Sequence, residues 1–322
     1  MKSLWMDDAG PERRYAPLRG NVDTDTAVVG GGMAGILCAR LLRERGIDSV
    51  VVEAERIGMG ITRCTTAKIT AQHGLVYSGI ARRYGLGAAR EYWRANQEAV
   101  EEYRRLSRGF PCDFEEKTAY VYSRDDRKKL EQEREIYDRL GIGAVFQEHP
   151  PIPVQTVGAL GMAGQAQFHP LKFLNAAAQG LQIYEDTFAA EIRPGRVVTA
   201  QGTVRARRVI LATHFPMVNL RGLYFLKLRQ HRSYVLALAG ARDPGGMYID
   251  EQEGGLSFRT YNGYLRQIGR RLGGAPPRGR GGISRRPGAV CLGDPGLHEP
   301  GRDPLHWQAP KKQPGAVCGH GL

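Results

Sequence analysis

Residues 26–29 (TAVV) form a short apolar run that stops at three glycines, Gly30, Gly31 and Gly32. From residue 33 to 45 the period changes. Ile36, Leu37, Leu41 and Leu42 recur at the spacing of a helix with one apolar face, and Gly46 ends it. A second β-branched run, residues 49–52 (SVVV), closes on Glu53. This pattern predicts strand, glycine turn, helix, strand. Further along, the charged stretches 88–106 and 125–140 predict amphipathic surface helices, with a strand at 117–123 between them. Residues 233–240, 246–250 and 256–261 read as antiparallel strands. Past about residue 265 no apolar periodicity survives, so a boundary is placed there.

Charge sharpens that boundary. The chain of 322 residues has a formal net charge of +13. Its last 57 residues hold 10 Lys and Arg against 3 Asp and Glu, with 13 Gly and 8 Pro. A basic balance ordinarily suggests a nucleic-acid partner. Here the only matching stretch is 276–282 (PPRGRGG), which has no interleaved aromatic residue, so no nucleic-acid partner is expected. No apolar run reaches the roughly 18 residues of a membrane-spanning helix. The first 20 residues mix acids and bases around no apolar core, which predicts a cytoplasmic chain without a membrane span. The five cysteines, Cys38, Cys64, Cys112, Cys291 and Cys318, are widely spaced without a CxxC pair, so neither a disulfide framework nor a metal site is expected.

The candidate chemistry lies in the glycine turn. Gly30, Gly32 and Gly35 complete a G-x-G-x-x-G fingerprint between a strand and a helix. Gly30 permits the tight turn, Gly32 admits a pyrophosphate close to the backbone, and Gly35 lets the helix pack against the strand. Met33 and Ala34 open the helix, where free N–H groups attract an anion. Glu53, followed by Ala54, stands eighteen residues after Gly35 and can accept from a ribose 2′-hydroxyl. Its carboxylate would repel a 2′-phosphate. The fingerprint therefore favours FAD or NAD over NADP and does not separate the first two.

Three later segments bear on that choice: 58–74 (GMGITRCTTAKITAQHG), 165–174 (QAQFHPLKFL) and 198–216 (VTAQGTVRARRVILATHFP). With the fingerprint they resemble the D-amino-acid oxidase and glycine oxidase family of FAD-dependent oxidoreductases, in particular a bacterial branch that sometimes carries a C-terminal Rieske domain. The resemblance covers residues 20–265. It implies an α/β fold: a doubly wound, Rossmann-like FAD-binding domain (20–105 and 151–222) and an antiparallel-sheet substrate domain (106–150 and 223–265). It also implies that Thr62, Thr65, Thr66, Ala67 and Lys68 lie beside the pyrophosphate and flavin ring, that the backbone at Ala189 meets the adenine, and that Ala212 and Thr213 form the strand-end turn beside the dinucleotide. His214 departs from the pattern, since many relatives have glycine there. Arg232, Tyr234, Tyr248 and Arg259 are candidate pocket liners, although strand alternation alone accounts for such residues. The isolated histidines His73 and His169 read as structural.

The reaction implied is hydride transfer to the flavin from a carbon bearing an amine, in a small amine or amino acid, with oxygen or a redox partner as acceptor. No catalytic side chain is assigned. Two alternatives stand beside it: a truncated, non-catalytic relative with impaired FAD binding, and an NAD-dependent dehydrogenase. The first comes from the tail, residues 266–322, an irregular basic segment in which the expected C-terminal elements are missing. Regrouping the bases that residues 294–308 and 311–322 allow permits TQDCMSLDGIPYIG and RSSPGLYVATGF, which resemble the family's C-terminal segments. The chain is accordingly expected to be a frameshifted reading, with the shift between residues 265 and 284.

Overall fold

The computed structural model describes residues 3–10, 13–217, 223, 228–231, 233–269, 291–292 and 296–298. In chain order the first strands are β1 (Val22–Val29), β2 (Ser49–Val52), β3 (Lys68–Ile69), β4 (Glu115–Ser123), β5 (Ala144–Gln147) and β6 (Gly158–Gln167). Then come β7 (Gln182–Tyr184), β8 (Ala189–Arg193), β9 (Arg196–Thr199), β10 (Gly202–Leu211), β11 (Arg229–His231) and β12 (Tyr234–Ala239). The last are β13 (Met247–Asp250), β14 (Ser257–Tyr261), β15 (Tyr264–Gly269), β16 (Cys291–Leu292) and β17 (Gly296–His298). Among the described residues five α-helices accompany them: α1 (Met33–Glu44), α2 (Tyr77–Tyr84), α3 (Leu86–Ser107), α4 (Arg127–Leu140) and α5 (Pro170–Ala177).

The first sheet has the order β7-β2-β1-β10-β9-β8. Its first four strands are parallel, and β9 and β8 return antiparallel. The two-residue alternation of strands sorts its side chains cleanly. Val28 and Val51 face the core that contains Ile36 of α1, whereas Ala27, Val29, Val50 and Val52 join Leu18, Ala189, Val197, Val204 and Ala206 on the opposite face. Both faces of the parallel strands are thus covered, which is why their sequences read as continuous apolar runs. Gly46 ends the helix as expected, with φ +70° and its N–H on the Arg43 carbonyl.

The second sheet has the order β16-β12-β15-β14-β13-β4-β6-β3, with β5 paired to β6. The expected strands at 117–123, 233–240, 246–250 and 256–261 are all present in it. One pairing differs from the all-antiparallel expectation: β13 runs parallel to β4, Met247 opposite Ala119. The sheet also takes up β6 and the short β3, from parts of the chain otherwise associated with the first sheet. A single core then runs through both halves, joining Val28, Ile36 and Val51 to Leu160, Phe168 and Phe173. Arg232 and most of the basic tail, including residues 270–284 of the stretch expected to hold the frameshift, lie outside the described residues. Among the described residues no helix is long and apolar enough to cross a membrane.

The α2–α4 layer is fixed by a buried carboxylate. Glu133 of α4 is fully buried and accepts from the Tyr77 N–H at 2.8 Å and the Ser78 N–H at 2.7 Å, at the start of α2, which has no cap of its own. Replacing Glu133→Ala leaves two amides unpaired and is expected to cost about 2–4 kcal/mol in urea unfolding. Glu133→Gln, which keeps one acceptor, should cost less.

Candidate functional site

The turn between β1 and α1 is built by close backbone approach. Gly30 takes φ +109° and donates to the Val52 carbonyl at 2.8 Å. A Cβ at Gly35 would run into the Gly30 carbonyl oxygen, and one at Gly30 would meet the Ala212 carbonyl. Three predicted site residues, Gly30, Gly35 and Ala212, are thereby locked together at the ends of β1 and β10. Gly32 is the N-cap of α1 and supplies no side-chain cap. The Met33 N–H is met by Thr62 Oγ1 at 3.1 Å. The N–H groups of Ala34 and Gly35 stand in a first turn with no preceding helical carbonyl to bond.

Glu53 closes the other side of the turn. Its Oε2 accepts from the Gly31 N–H at 2.6 Å and its Oε1 from the Glu55 N–H at 3.0 Å, so the carboxylate is held in place by backbone alone. Ala54 beside it is exposed. The chain after β7 lies against this segment: Thr187 donates to the Glu53 carbonyl and Asp186 to that of Glu55, both at 2.9 Å. Two residues on, Ala189 is buried where it opens β8 at the edge of the first sheet. After β10, Ala212 donates to the Val29 carbonyl at 2.8 Å, and Thr213 Oγ1 bonds the Phe215 carbonyl at 2.7 Å. His214 adopts φ +62°, keeping the left-handed turn that glycine takes freely, at a cost of about 1–2 kcal/mol.

The loop 62–68 leads away from α1 toward the second sheet. Thr62, Thr65, Ala67 and Lys68 line a cavity of about 350 Å³ together with Met33 and His73. Thr66 is held through its carbonyl. Arg259 of β14, fully buried, donates from Nη1 to the carbonyls of Thr66 at 2.9 Å and Ala67 at 2.7 Å. Ala67 sits at φ +54°, with its N–H on Thr65 Oγ1 at 3.2 Å. Lys68 Nζ reaches the second sheet, donating to the Tyr248 carbonyl at 2.7 Å and to Ser257 Oγ at 2.6 Å. Burial first, and the Arg259 guanidinium second, lower the Lys68 pKa to about 7.

Two candidates named from sequence take other roles. Tyr248 is buried, stacked on Tyr120 at 4.8 Å, and Arg259 braces the loop. His169 N-caps α5: its Nδ1 accepts from the Lys172 N–H, so its proton is on Nε2, which donates to Asp8 Oδ1 at 2.9 Å. His73 lies at the cavity, with Nδ1 2.9 Å from the Tyr92 hydroxyl. Sequence reasoning passed over residues 3–8. Trp5 there is fully buried and donates from Nε1 to the Thr65 carbonyl at 3.0 Å. A tryptophan in a segment rich in charge was the available signal. Among the described residues no His, Cys, Asp and Glu group could hold a metal ion.

A family model described as FAD dependent oxidoreductase matches residues 25–290, running past the boundary expected at residue 265. The Bacillus subtilis (strain 168) protein YhfW, named as a Rieske 2Fe-2S iron-sulfur protein, is 36% identical over 265 residues, covering 77% of this chain and 52% of its own length. Gamma-glutamylputrescine oxidoreductase of Escherichia coli (strain K12) is 28% identical over 224 residues, covering 63% of this chain and 53% of its own. The chain spans about half the length of these relatives. Among solved structures, L-proline dehydrogenase from P. horikoshii matches with a TM-score of 0.63 at 17% identity, over 78% of this chain and 70% of that one. The likeness is one of fold.

Glycine positions separate crowding from freedom. Gly35→Ala is expected to destabilise by about 2–3 kcal/mol because the opposing atom is backbone and cannot move aside. Gly87→Ala in α3, where an added Cβ meets nothing within 4 Å, should stabilise by about 0.5–1 kcal/mol; thermal or urea unfolding of both reads the contrast. Lys68 gives a pH signature. Its folded pKa lies below the unfolded value of 10.5, so charging it costs stability; the cost is complete below about pH 7 and fades as pH rises toward that value. Between pH 7 and about pH 10, the Tm of the unaltered chain should therefore rise relative to that of Lys68→Met.

Proposed function

The chain belongs to the FAD-dependent oxidoreductase family, and from that premise we propose that it binds FAD across the β1–α1 turn and the loop 62–68 and takes part in oxidising a small amine or amino acid. The observation that carries this reading is the N-terminus of α1, whose N-cap Gly32 has no side chain to bond its first amides, next to a turn closed by the backbone-held Glu53 carboxylate, with a 350 Å³ cavity lined by Met33 and Thr62 beside it. A helix N-terminus without a side-chain cap is suited to a pyrophosphate. Gly32 leaves no Cβ in its way, while Gly30 and Gly35 let the turn close. The residues present fit the cofactor.

Each residue then has a task. Gly32, Ala34 and Gly35 offer backbone N–H groups to the pyrophosphate, and Thr62 steadies the first turn by holding the Met33 amide. Glu53, next to Ala54, accepts from a ribose hydroxyl and turns away a 2′-phosphate. The backbone at Ala189 borders the adenine, while Ala212 and Thr213 close the turn beneath the dinucleotide. Thr65, Thr66, Ala67 and Lys68 border the flavin end. When bound, the flavin supplies the two-electron acceptor for a carbon that bears an amine. Lys68, with a pKa lowered to about 7, is about half charged at neutral pH, so its fixed charge there is smaller than that of an ordinary lysine. An amine that arrives neutral needs no side-chain base.

Support for an amine or amino acid comes from what the relatives' names state they act on: gamma-glutamylputrescine for one and L-proline for the other. The acceptor is oxygen or a redox partner; the Rieske name of YhfW favours a partner. Incubation with FAD followed by gel filtration should leave flavin absorbance on the protein peak, and the same treatment with NAD should leave none. Glu53→Gln should weaken FAD about tenfold, equivalent to one lost charged hydrogen bond. Protein that elutes colourless after incubation with FAD would overturn the reading.

A further inference from the structure

No motif marks residues 3–8, yet they bond directly to the loop that lines the cavity. Ser3 and Trp5 are buried, Trp5 completely. Ser3 Oγ donates to the Arg63 carbonyl, and Trp5 Nε1 donates to the Thr65 carbonyl at 3.0 Å. Arg259 takes the next two carbonyls, those of Thr66 and Ala67. Four carbonyls of one short loop are therefore met by donors that lie about 60 and 190 residues away in sequence.

The indole is more than a donor. Its ring lies edge-on to His169 and Tyr261, with centroids 5.0 and 4.9 Å apart. Arg266 lies 4.2 Å and Arg259 5.3 Å from the same ring. Both guanidiniums are buried, and their repulsion adds to burial in lowering the Arg259 pKa to about 9. An aromatic ring within reach of both cations offsets part of that cost. Asp8 ties the segment down at its far end, bonding His169 Nε2 at 2.9 Å and the Tyr261 hydroxyl at 2.8 Å. Burial would raise its carboxyl, but the bonds from Tyr261 and His169 hold it below the usual carboxylate range.

We propose that residues 3–8 are a working part of the cofactor site: a strap in which Trp5, with Arg259, acts as a positioning residue that holds the carbonyls of loop 63–67 so that Thr62, Thr65 and Ala67 face the cavity. The proposal rests on the FAD reading above. A residue that merely filled the core would need a buried acceptor for its indole N–H, but not one on this loop, and would leave cofactor affinity untouched.

The test compares FAD dissociation constants, by flavin fluorescence, with the Tm of the FAD-free protein for the full-length chain and four variants. Trp5→Phe keeps the ring and loses the donor. Trp5→Ala loses both, Arg259→Lys removes the fork, and Leu130→Ala, which empties a buried position of α4, is a control for lost stability. Trp5→Phe should keep most of the Tm and bind FAD about fivefold more weakly, as for one lost hydrogen bond. Trp5→Ala and Arg259→Lys should bind at least about tenfold more weakly, whereas Leu130→Ala should lower Tm and leave affinity within about twofold. If Trp5→Phe and Arg259→Lys bind FAD as tightly as the unaltered chain, or Leu130→Ala weakens binding as much as they do, the strap is structural only and the proposal falls. Failure of the unaltered chain to bind FAD would overturn the cofactor reading, and this proposal with it.

Discussion

A backbone carbonyl that is taken out of water needs a donor, and a loop that joins no ladder cannot find one in itself. The stretch from Arg63 to Ala67 is such a loop. Its position between the two sheets means that its shape is decided by whatever reaches its carbonyls. Arg259 does so from β14 and Trp5 from the start of the chain, while Phe168 adds an amide at 3.4 Å to the Ala67 oxygen. The cavity beside the loop is thus a property of the whole molecule. Neither the first sheet nor the second could form it alone, and the core that runs from Val28 to Phe173 keeps the two in register.

Electrostatics follow from the same placement. The α1 N-terminus and Glu53 set a polarity at one end, with donors and an acceptor arranged by backbone geometry. At the other end Lys68, Arg259 and Arg266 bring three basic side chains into partly or fully buried surroundings. Desolvation lowers the pKa values of Lys68 and Arg259 to about 7 and about 9, and the lysine is the cheaper of the two to discharge. Arg259 cannot easily be replaced by an apolar residue. Two loop carbonyls would then lose their partner, even as its own Nε and Nη2 stay unbonded among the described residues.

What was legible in the sequence was local. Gly30, Gly32, Gly35 and Glu53 lie within one strand–turn–helix–strand unit, so residue type and spacing specify their geometry directly. The strands and helices were readable because each has a period of its own. Partners were not. β13 was expected to be antiparallel because hairpin logic pairs neighbours in sequence, but its neighbours in space are β14 and the remote β4, beside which it runs parallel. Trp5 and Arg259 were unreadable as loop braces because their acceptors are main-chain oxygens, which look alike at every position of a sequence. His214 posed the reverse problem: a residue that argued against a left-handed turn occupies one.

The pairing of β1 with β10 has a consequence in time. Val22 lies opposite Val204 and Val29 opposite Leu211, so the centre of the first sheet joins segments about 180 residues apart. On a ribosome adding about 5–20 residues per second, β1 waits roughly 10–40 s for that partner. During the wait β1 can pair on one side only, with β2, and its other edge stays open. The nascent chain must therefore carry its glycine turn and apolar strand unprotected through most of its own synthesis, and a chaperone or a slow codon in that window would act on this edge before any cofactor could.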